Sequence, residues 1–454
     1  MSKLSEEGVP LMILEKDQSG TITAEYRQED NSIVKVQQVI KKPLAFDGIH
    51  GLVNVFLPAG YPKSVTDDYL EYQIYDSLQA FSSSIAGLLS SRAVLQAVGF
   101  EDSGASTTAA ILLNILQDSI GRIATILFAH RLGSSLEPEC KRFRFAADIF
   151  NDSALIFDCL SPIFPKAIRV MLLCTAGTLR ALCGVAGGGS KAQLSVHFSK
   201  WGNVAELNAK DSSQETVISL LGMLAGSLVI SSVTSKSATW VTMLLLIVIH
   251  LWTNYRAVKA VIMVTLNRQR ANLVMSTFAE TGVILTPKDV ARREHIFERD
   301  GVLRWYNGDI VGWGVIGARL SMIVIPPAAS GDEVSLADVT KACPTEQYML
   351  WFGGSRGGRL RDRHVCICLE NGCTPDSQLR AWMHGLLSAR ILFSQRSRAV
   401  KASDALQALV DAKCQIDRTF DEFLKRLAEA GWDLEDPQLE TSSGFRYERT
   451  GLHA

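Results

Sequence analysis

Between Thr216 and Asn254 the chain carries only two ionisable side chains, Lys236 and His250. Two runs make up that stretch. TVISLLGMLAGSLVISSV has 18 residues without a charge; SATWVTMLLLIVIHLWTNY has 19, with one His and with Trp and Tyr near its ends. About 20 apolar residues cross the hydrocarbon core of a bilayer as a helix, and aromatic side chains favour its interfaces. The pattern predicts a pair of membrane-spanning helices. A helical hairpin buried in a large soluble protein is the alternative.

A dense polar cluster, Lys210, Asp211, Gln214 and Glu215, runs directly into the first of these helices. Asp211, Gln214 and Glu215 share a face at helical spacing, and carboxylates favour a helix N-terminus. Three earlier apolar stretches behave alike. Ser106 to Leu132 holds Asp118 and Arg122, four apart and able to pair. Phe145 to Ile163 holds Asp148, Asn151, Asp152 and Asp158, with Arg144 four residues before Asp148. Ala167 to Val185 holds Arg180. Asp148, Asn151 and Asp158 lie within about 80° of one another at 100° per residue. Each stretch therefore carries its polar groups as one stripe. Charges inside a bilayer pair, face the bundle interior or line a water-filled path. Ion pairs that fix helix packing, a ligand or ion site, and solvation at the interface are the three readings of these stripes.

On either side of the apolar part the character differs. Residues 1 to 57 read as an irregular or β-like lead-in, with NSIVKVQQVI and GLVNVFLP as short strands. AGYPKSV is a turn, Ser64 a cap, and a helix from near Val65 carries an aromatic stripe of Tyr69, Tyr72 and Tyr75. After Thr281 come short strands joined by Gly- and Arg-rich turns, then two amphipathic helices, the second capped at Gly431. With 454 residues, two or three domains are expected. A mean hydropathy of +0.13 fits an apolar part joined to a hydrophilic one. The net charge of -1 gives no argument for nucleic acid. Nine scattered cysteines point to a reducing compartment without structural disulfides. The acidic N-terminus has no signal- or transit-peptide pattern, so insertion is expected through internal segments.

Familiar catalytic signatures are missing. GVAGGGSKA lacks the Gly-Lys-Ser/Thr of a phosphate loop, because Ser190 separates Gly189 from Lys191; it reads as a flexible break between helices. HVCICLENGC places His364, Cys366 and Cys368 on one strand face with Cys373 beyond, but without paired CxxC spacing for zinc. GGSRGGRLRDR reads as an exposed basic hairpin loop. There is no GxSxG and no HExxH, so no enzyme is expected.

Several ordered blocks resemble the root UVB sensitive family: GYPKSVTDDYLEYQIYDSLQAF, LQDSIGRIATILFAHRLG, KRFRFAADIFNDSALIFDCLSPIFP, HFSKWGNVAELNAKDSSQETVISLLG and NYRAVKAVIMVTLNRQR. They span roughly Pro58 to Arg270, and FDEFLKRLAEAGWD looks like the end of that family's C-terminal region. The resemblance implies a membrane-associated protein connected, in plants, with ultraviolet-B responses and vitamin B6 homeostasis, with no agreed reaction or substrate. Its motif positions include Asp118, Arg122, Arg144, Asp148, Asn151, Asp152, His197, Lys210, Asp211, Gln214 and Glu215. One departure is GGGSKA, where the family shows small residues ending in Thr-Arg; Lys191 keeps the charge but not a bidentate fork.

The expectation is thus a mainly α protein: a polytopic helical membrane-embedded bundle over 58–275 followed by a soluble α+β domain over 276–454. The eleven polar residues just named form the candidate ligand or ion-pair site. No cofactor is required, and pyridoxal phosphate is a conceivable ligand for Arg122, Arg144 or Lys210. Membrane lipids, a small molecule and a protein partner or related family member are the expected partners. A membrane scaffold acting through its C-terminal domain and a soluble pyridoxal-phosphate binding protein are the rival readings.

Overall fold

The structure, a computed structural model, describes residues 12–16, 22–29, 32–38, 56–98, 107–323, 339–340, 343, 345–353, 364–394 and 402–449. It is mainly helical, with a sheet-bearing C-terminal region. Near the N-terminus, β1 (Met12–Lys16), β2 (Ile22–Glu29) and β3 (Ser32–Gln38) form an antiparallel sheet in that order. Six helices follow: α1 (Tyr69–Val98), α2 (Thr107–Leu132), α3 (Cys140–Leu160), α4 (Lys166–Phe198), α5 (Val204–Ser232) and α6 (Lys236–Ala260). Of these, α2, α4, α5 and α6 are long and apolar enough to cross a membrane. Next come α7 (Arg268–Thr281) and α8 (Pro287–Arg293), then β4 (Val302–Arg304), β5 (Ile310–Ile316), β6 (Tyr348–Gly353) and β7 (His364–Glu370). The chain ends with α9 (Pro375–Ser394), α10 (Ala402–Glu429) and β8 (Arg446–Tyr447).

Two compact units emerge. The first comprises Met1–Arg92 and Ala192–Ala257, the second Ala93–Lys191 and Val258–Ala454.

In the first unit α1 packs against α5 through glycines. A Cβ on Gly222 would lie 2.7 Å from Ser84 Cβ and 2.9 Å from the Phe81 carbonyl oxygen; one on Gly226 would lie 2.7 Å from Leu88 Cδ1. GMLAG is thus a GxxxG contact, the small-residue device that lets helices approach closely where apolar surroundings give little drive to associate. At the far end Arg92 Nη1 donates to the carbonyl oxygens of Ile230 (3.1 Å) and Val233 (2.8 Å), and its Nη2 to Thr239 Oγ1 (2.9 Å). A guanidinium suits the unpaired carbonyls at a helix C-terminus.

The second unit departs from the expected break at GVAGGGSKA: α4 runs unbroken through it. Three glycines in a row lower helix propensity, but tertiary packing overrides that. Gly187 faces Ala147 of α3, and a Cβ on Gly189 would lie 2.7 Å from Leu136 Cδ1. The glycines leave room for a neighbouring segment rather than flexing the chain. Likewise Ser64 does not cap α1. The helix starts at Tyr69, and the Ser64 hydroxyl is buried without a hydrogen-bond partner among the described residues. Strand-like GLVNV and the basic loop at 354–363 lie outside the described residues.

The C-terminal core starts at Leu266, because α7 buries Ala271, Val274 and Met275 together with the sheet. Asn267 caps α7 by accepting from Arg270 N, and Gly282 ends it at φ 72°. Thr286 and Asp289 form a capping box around Pro287 at the start of α8. The sheet runs β4-β5-β7-β6, with β8 also on β7; β5–β7 and β7–β8 are parallel, the other pairs antiparallel. β7 is buried along Val365–Leu369, Cys366 and Cys368 included, as a central strand covered on both faces should be. α9 lies on it closely enough that a Cβ on Gly385 would sit 2.9 Å from Val365 Cγ1. The predicted cap at Gly431 is present, at φ 91°.

Two glycines separate packing from propensity. Gly222→Ala is expected to lower thermal stability, since its Cβ meets backbone, with a cost of roughly 1–3 kcal/mol. Gly184→Ala, whose Cβ meets nothing within 4 Å, is expected to be neutral or to stabilise by about 0.5–1 kcal/mol. Thermal unfolding of the purified full-length variants reads both, and equal shifts would refute the packing role.

Candidate functional site

Helix α1 begins on one face with acids and amides. Asp68, Tyr69, Tyr72, Gln73, Asp76 and Gln79 are all buried. At 100° per residue they occupy about 140° of its surface. That face meets polar groups from three other segments of the first unit. His197 Nε2 lies 2.9 Å from Asp68 Oδ2, with side chains only 3% and 4% exposed. Gln73 Nε2 donates to Asp211 Oδ1 at 3.1 Å and reaches the Tyr69 hydroxyl at 3.4 Å. Gln79 Nε2 and His250 Nε2 are 3.1 Å apart. Thr253 and Asn254, a turn beyond His250, are buried too. Edge-on contact of Tyr69 with Phe198, and of Tyr75 with Trp252, packs around this polar strip.

The strip has a direction. From Asp68 to Gln79 it runs eleven residues, roughly 16 Å along the helix. Beyond Ser82 the buried residues of α1 are mainly apolar, at Ile85, Ala86 and Leu89, with Ser90 the polar exception. At the polar end, Val65 bridges Ser199, and Ser64 Oγ, Thr66 Oγ1 and Asn203 Nδ2 are buried without a hydrogen-bond partner among the described residues. Buried polar atoms in that condition are rare in folded proteins. Gln214 reaches the Phe56 carbonyl (2.7 Å) and Glu206 accepts from Ala59 N (2.7 Å), which ties α5 to the segment before α1. Lys210 is half-buried and Glu215 exposed.

The other six expected residues belong to the second unit. Arg144 and Asp148 pair as spacing required, at 3.1 Å and both buried. Asp152 is buried and Asn151 half-buried on the same helix, and Asp158 pairs with Arg180 of α4. Asp118 and Arg122 instead lie exposed on α2. The pairing expected of them is not made: among the described residues neither side chain forms an ion pair or hydrogen bond. Gly121 between them turns to α4, where a Cβ would meet Ala181 at 3.3 Å.

Spacing arguments missed a second enclosed group of charges in this unit. Glu294, just past α8, accepts from Lys141 Nζ (2.8 Å) and from Arg270 Nη1 (2.8 Å), all three nearly inaccessible. Burial by itself would raise the Glu294 pKa; Lys141 and Arg270 outweigh it and hold the carboxyl at about 2. Lys259 Nζ donates to the carbonyl oxygens of Ala291 (2.8 Å) and Glu294 (2.9 Å), closing the same corner. Neighbouring Glu139 is pushed by burial up to about 7 against the pull of Arg270. It borders a small cleft with Arg142, Arg268 and Asp300. These partners come from α3, α7 and the end of α8, so no local spacing reveals them. The α1 strip was legible by the angular count applied to the other helices; its aromatic members drew the reading instead. His250 stood out as the lone imidazole in an apolar run. Among the described residues no group of three or more His, Cys, Asp or Glu is placed to hold a metal ion.

The Glu294 knot has a pH signature. A depressed carboxyl pKa stabilises the fold above the unfolded value, near 4.5, and that contribution is lost as pH falls towards about 2. Glu294→Gln is expected to cost roughly 3–5 kcal/mol near neutral pH, because Lys141 and Arg270 stay buried without their shared anion. It should also flatten the acid limb of a stability–pH curve. Glu139→Gln should act oppositely, removing a loss of stability as pH rises from about 4.5 to about 7. Denaturant titrations of the two variants from acid to neutral pH check both; curves parallel to the parent would refute these assignments.

Residues 45–282 match the family model described as a vitamin B6 photo-protection and homoeostasis domain, and residues 316–444 match the C-terminal region of root UVB sensitive proteins. The chain is similar to protein root UVB sensitive 3 of Arabidopsis thaliana, 30% identical over 387 residues, covering 85% of this chain and 83% of that one. It is similar to RUS family member 1 of Dictyostelium discoideum, 38% identical over 293 residues, which is 63% of this chain and 55% of that one. It is also 25% identical to the chloroplastic protein root UVB sensitive 2 of Arabidopsis thaliana over 432 residues, 94% of this chain and 92% of that one. The chain thus spans about half the length of the Dictyostelium relative. No solved structure matches it. On the extent of these matches, the chain belongs to the root UVB sensitive family and carries that family's vitamin B6 photo-protection and homoeostasis domain.

Proposed function

We propose that this chain is a non-enzymatic integral membrane protein that serves vitamin B6 or related small-molecule homeostasis through the polar strip of its first unit, in the manner of a transporter. The observation that carries the reading is the strip itself. Asp68, Gln73, Asp76, Gln79, His197, Asp211 and His250 are gathered among helices whose outer faces are apolar. Leu220, Leu224 and Leu228 of α5 and Val241, Leu245 and Val248 of α6 are all at least half exposed. Water does not favour such faces and lipid does. Ionisable groups inside apolar helices carry a cost that a structural role rarely repays, and they mark substrate, ion or proton paths.

Its composition favours one class of ligand. The strip holds three carboxylic acids, Asp68 and Asp76 buried and Asp211 half-buried, and two imidazoles, and Lys210 stands half-buried beside it. A protonated amine or a neutral pyridine with polar substituents suits that set. A phosphate ester would face Asp68, Asp76 and Asp211. Pyridoxal phosphate is therefore a weaker match than an unphosphorylated vitamer.

Two experiments test this. Alkaline carbonate extraction should leave the full-length tagged chain in the membrane pellet; release to the supernatant would end the membrane reading. In proteoliposomes, uptake of labelled pyridoxine or pyridoxal should fall about tenfold or more in Asp68→Asn, Asp211→Asn and His250→Gln, and remain near parent in Glu71→Gln, an exposed acid on the same helix. Parent-level uptake in all three strip variants would sink the site.

A further inference from the structure

Helix α2 carries a strip that suits neither water nor lipid. Only 6% of its most apolar window is buried, and Ile111 (53%), Leu112 (61%), Ile115 (56%), Ile123 (59%), Ile126 (67%) and Leu127 (58%) are exposed. In water these side chains form an apolar patch of the kind that marks an interaction surface. In lipid they are comfortable, but Asp118 and Arg122 are not. Both are exposed among those residues, and among the described residues neither makes an ion pair or a hydrogen bond. Each solvent leaves part of the helix unsatisfied, so the face calls for a protein surface that is apolar and bears one charge of each sign.

α2 meets that description itself. Its contact with α4 uses Gln117 and Gly121, opposite Gly177 and Ala181, and its contact with α3 uses Phe128 against Phe143. Asn114, Asp118 and Arg122 stand on the shoulder beside that contact, four residues apart. They form an i, i+4, i+8 ridge of the sort that interdigitates between helices. Asp118 and Arg122 are about 6 Å apart along the axis, within the reach of an Arg side chain. A two-fold interface is isologous, so a residue i that meets j also has j meeting i. Asp118 of one copy then neutralises Arg122 of the second, and the reverse, with the flanking isoleucines packed around both pairs. We infer that the Asn114–Asp118–Arg122 shoulder of α2 is a self-association face, covered by α2 of a second copy of this chain.

The inference does not depend on the ligand site proposed above, nor on which solvent surrounds the rest of the helix. Two differently tagged full-length copies are co-expressed, and one is recovered through its tag while the other is quantified. Parent copies should co-purify. Asp118→Arg alone and Arg122→Asp alone put like charges across the two-fold and should reduce recovery about tenfold. The double variant D118R/R122D restores both pairs with reversed polarity and should return recovery to within about twofold of parent. A second readout uses Asn114→Cys in a Cys414→Ser background, which should give an oxidative dimer where Leu112→Cys, further round the helix, gives little. If parent copies do not co-purify, the face is not a homotypic interface. If the single variants associate like parent, the face lies against lipid or another segment, and the inference fails. Failure of the double variant to recover while it is produced at parent levels would equally overturn the charge pairing.

Discussion

Glu294 is the anion on which the second unit depends. Lys141 at the start of α3 and Arg270 in the first turn of α7 both end on its carboxylate, and all three are withdrawn from water. Cations so enclosed persist only with a partner, and one carboxylate has a lone pair to offer each. The knot therefore joins the end of an apolar-region helix to the helix that seeds the C-terminal core. Its neighbours follow from this placement. Asn267 caps α7 and donates to the Pro138 carbonyl (3.0 Å) just ahead of α3. Lys259 gathers the carbonyls that end α8. Arg268, two residues before Arg270, bonds Asp300 (2.6 Å) and the Leu439 carbonyl (2.6 Å).

The first unit solves a different problem with the same chemistry. Its helices have apolar exteriors, so groups that want hydrogen bonds turn inward and find one another. Asp68 takes His197, Asp211 takes Gln73, and His250 takes Gln79. Glycines at 222 and 226 let α5 come close to α1, and Arg92 closes the far end by taking carbonyls that the last turn of α5 leaves open. The polar strip occupies one end and gives way to Ile85, Ala86 and Leu89 at the other.

Much of this was legible residue by residue. The two uncharged runs announced α5 and α6, and the polar stripes that hold Asp211, Arg144 and Asp148 were recognisable because helical spacing is a local rule. His197 came from resemblance alone, since nothing in its own turn of helix distinguishes it. The triple glycine misled, because propensity speaks for an isolated helix, whereas Leu136 and Ala147 fill the space a side chain would take. Asp118 and Arg122 also misled. Four-residue spacing permits an intrahelical pair but does not impose one on exposed side chains, for which such a pair is worth little.

The sequence by itself determined where the apolar helices lie, that polar groups run along them in stripes, where α10 stops, and that a sheet-bearing segment follows. Each is a matter of period, composition or a single cap, and so is written within a few residues. Only the tertiary structure decided that Glu294 serves two cations from distant segments, that Asp68 meets His197 across 129 residues of chain, and that α2 keeps its charges outside. Such contacts depend on which helix faces lie opposite one another. That choice is made by glycine-permitted close approach and by the cost of leaving a buried charge alone, quantities that belong to pairs of segments and not to any one of them.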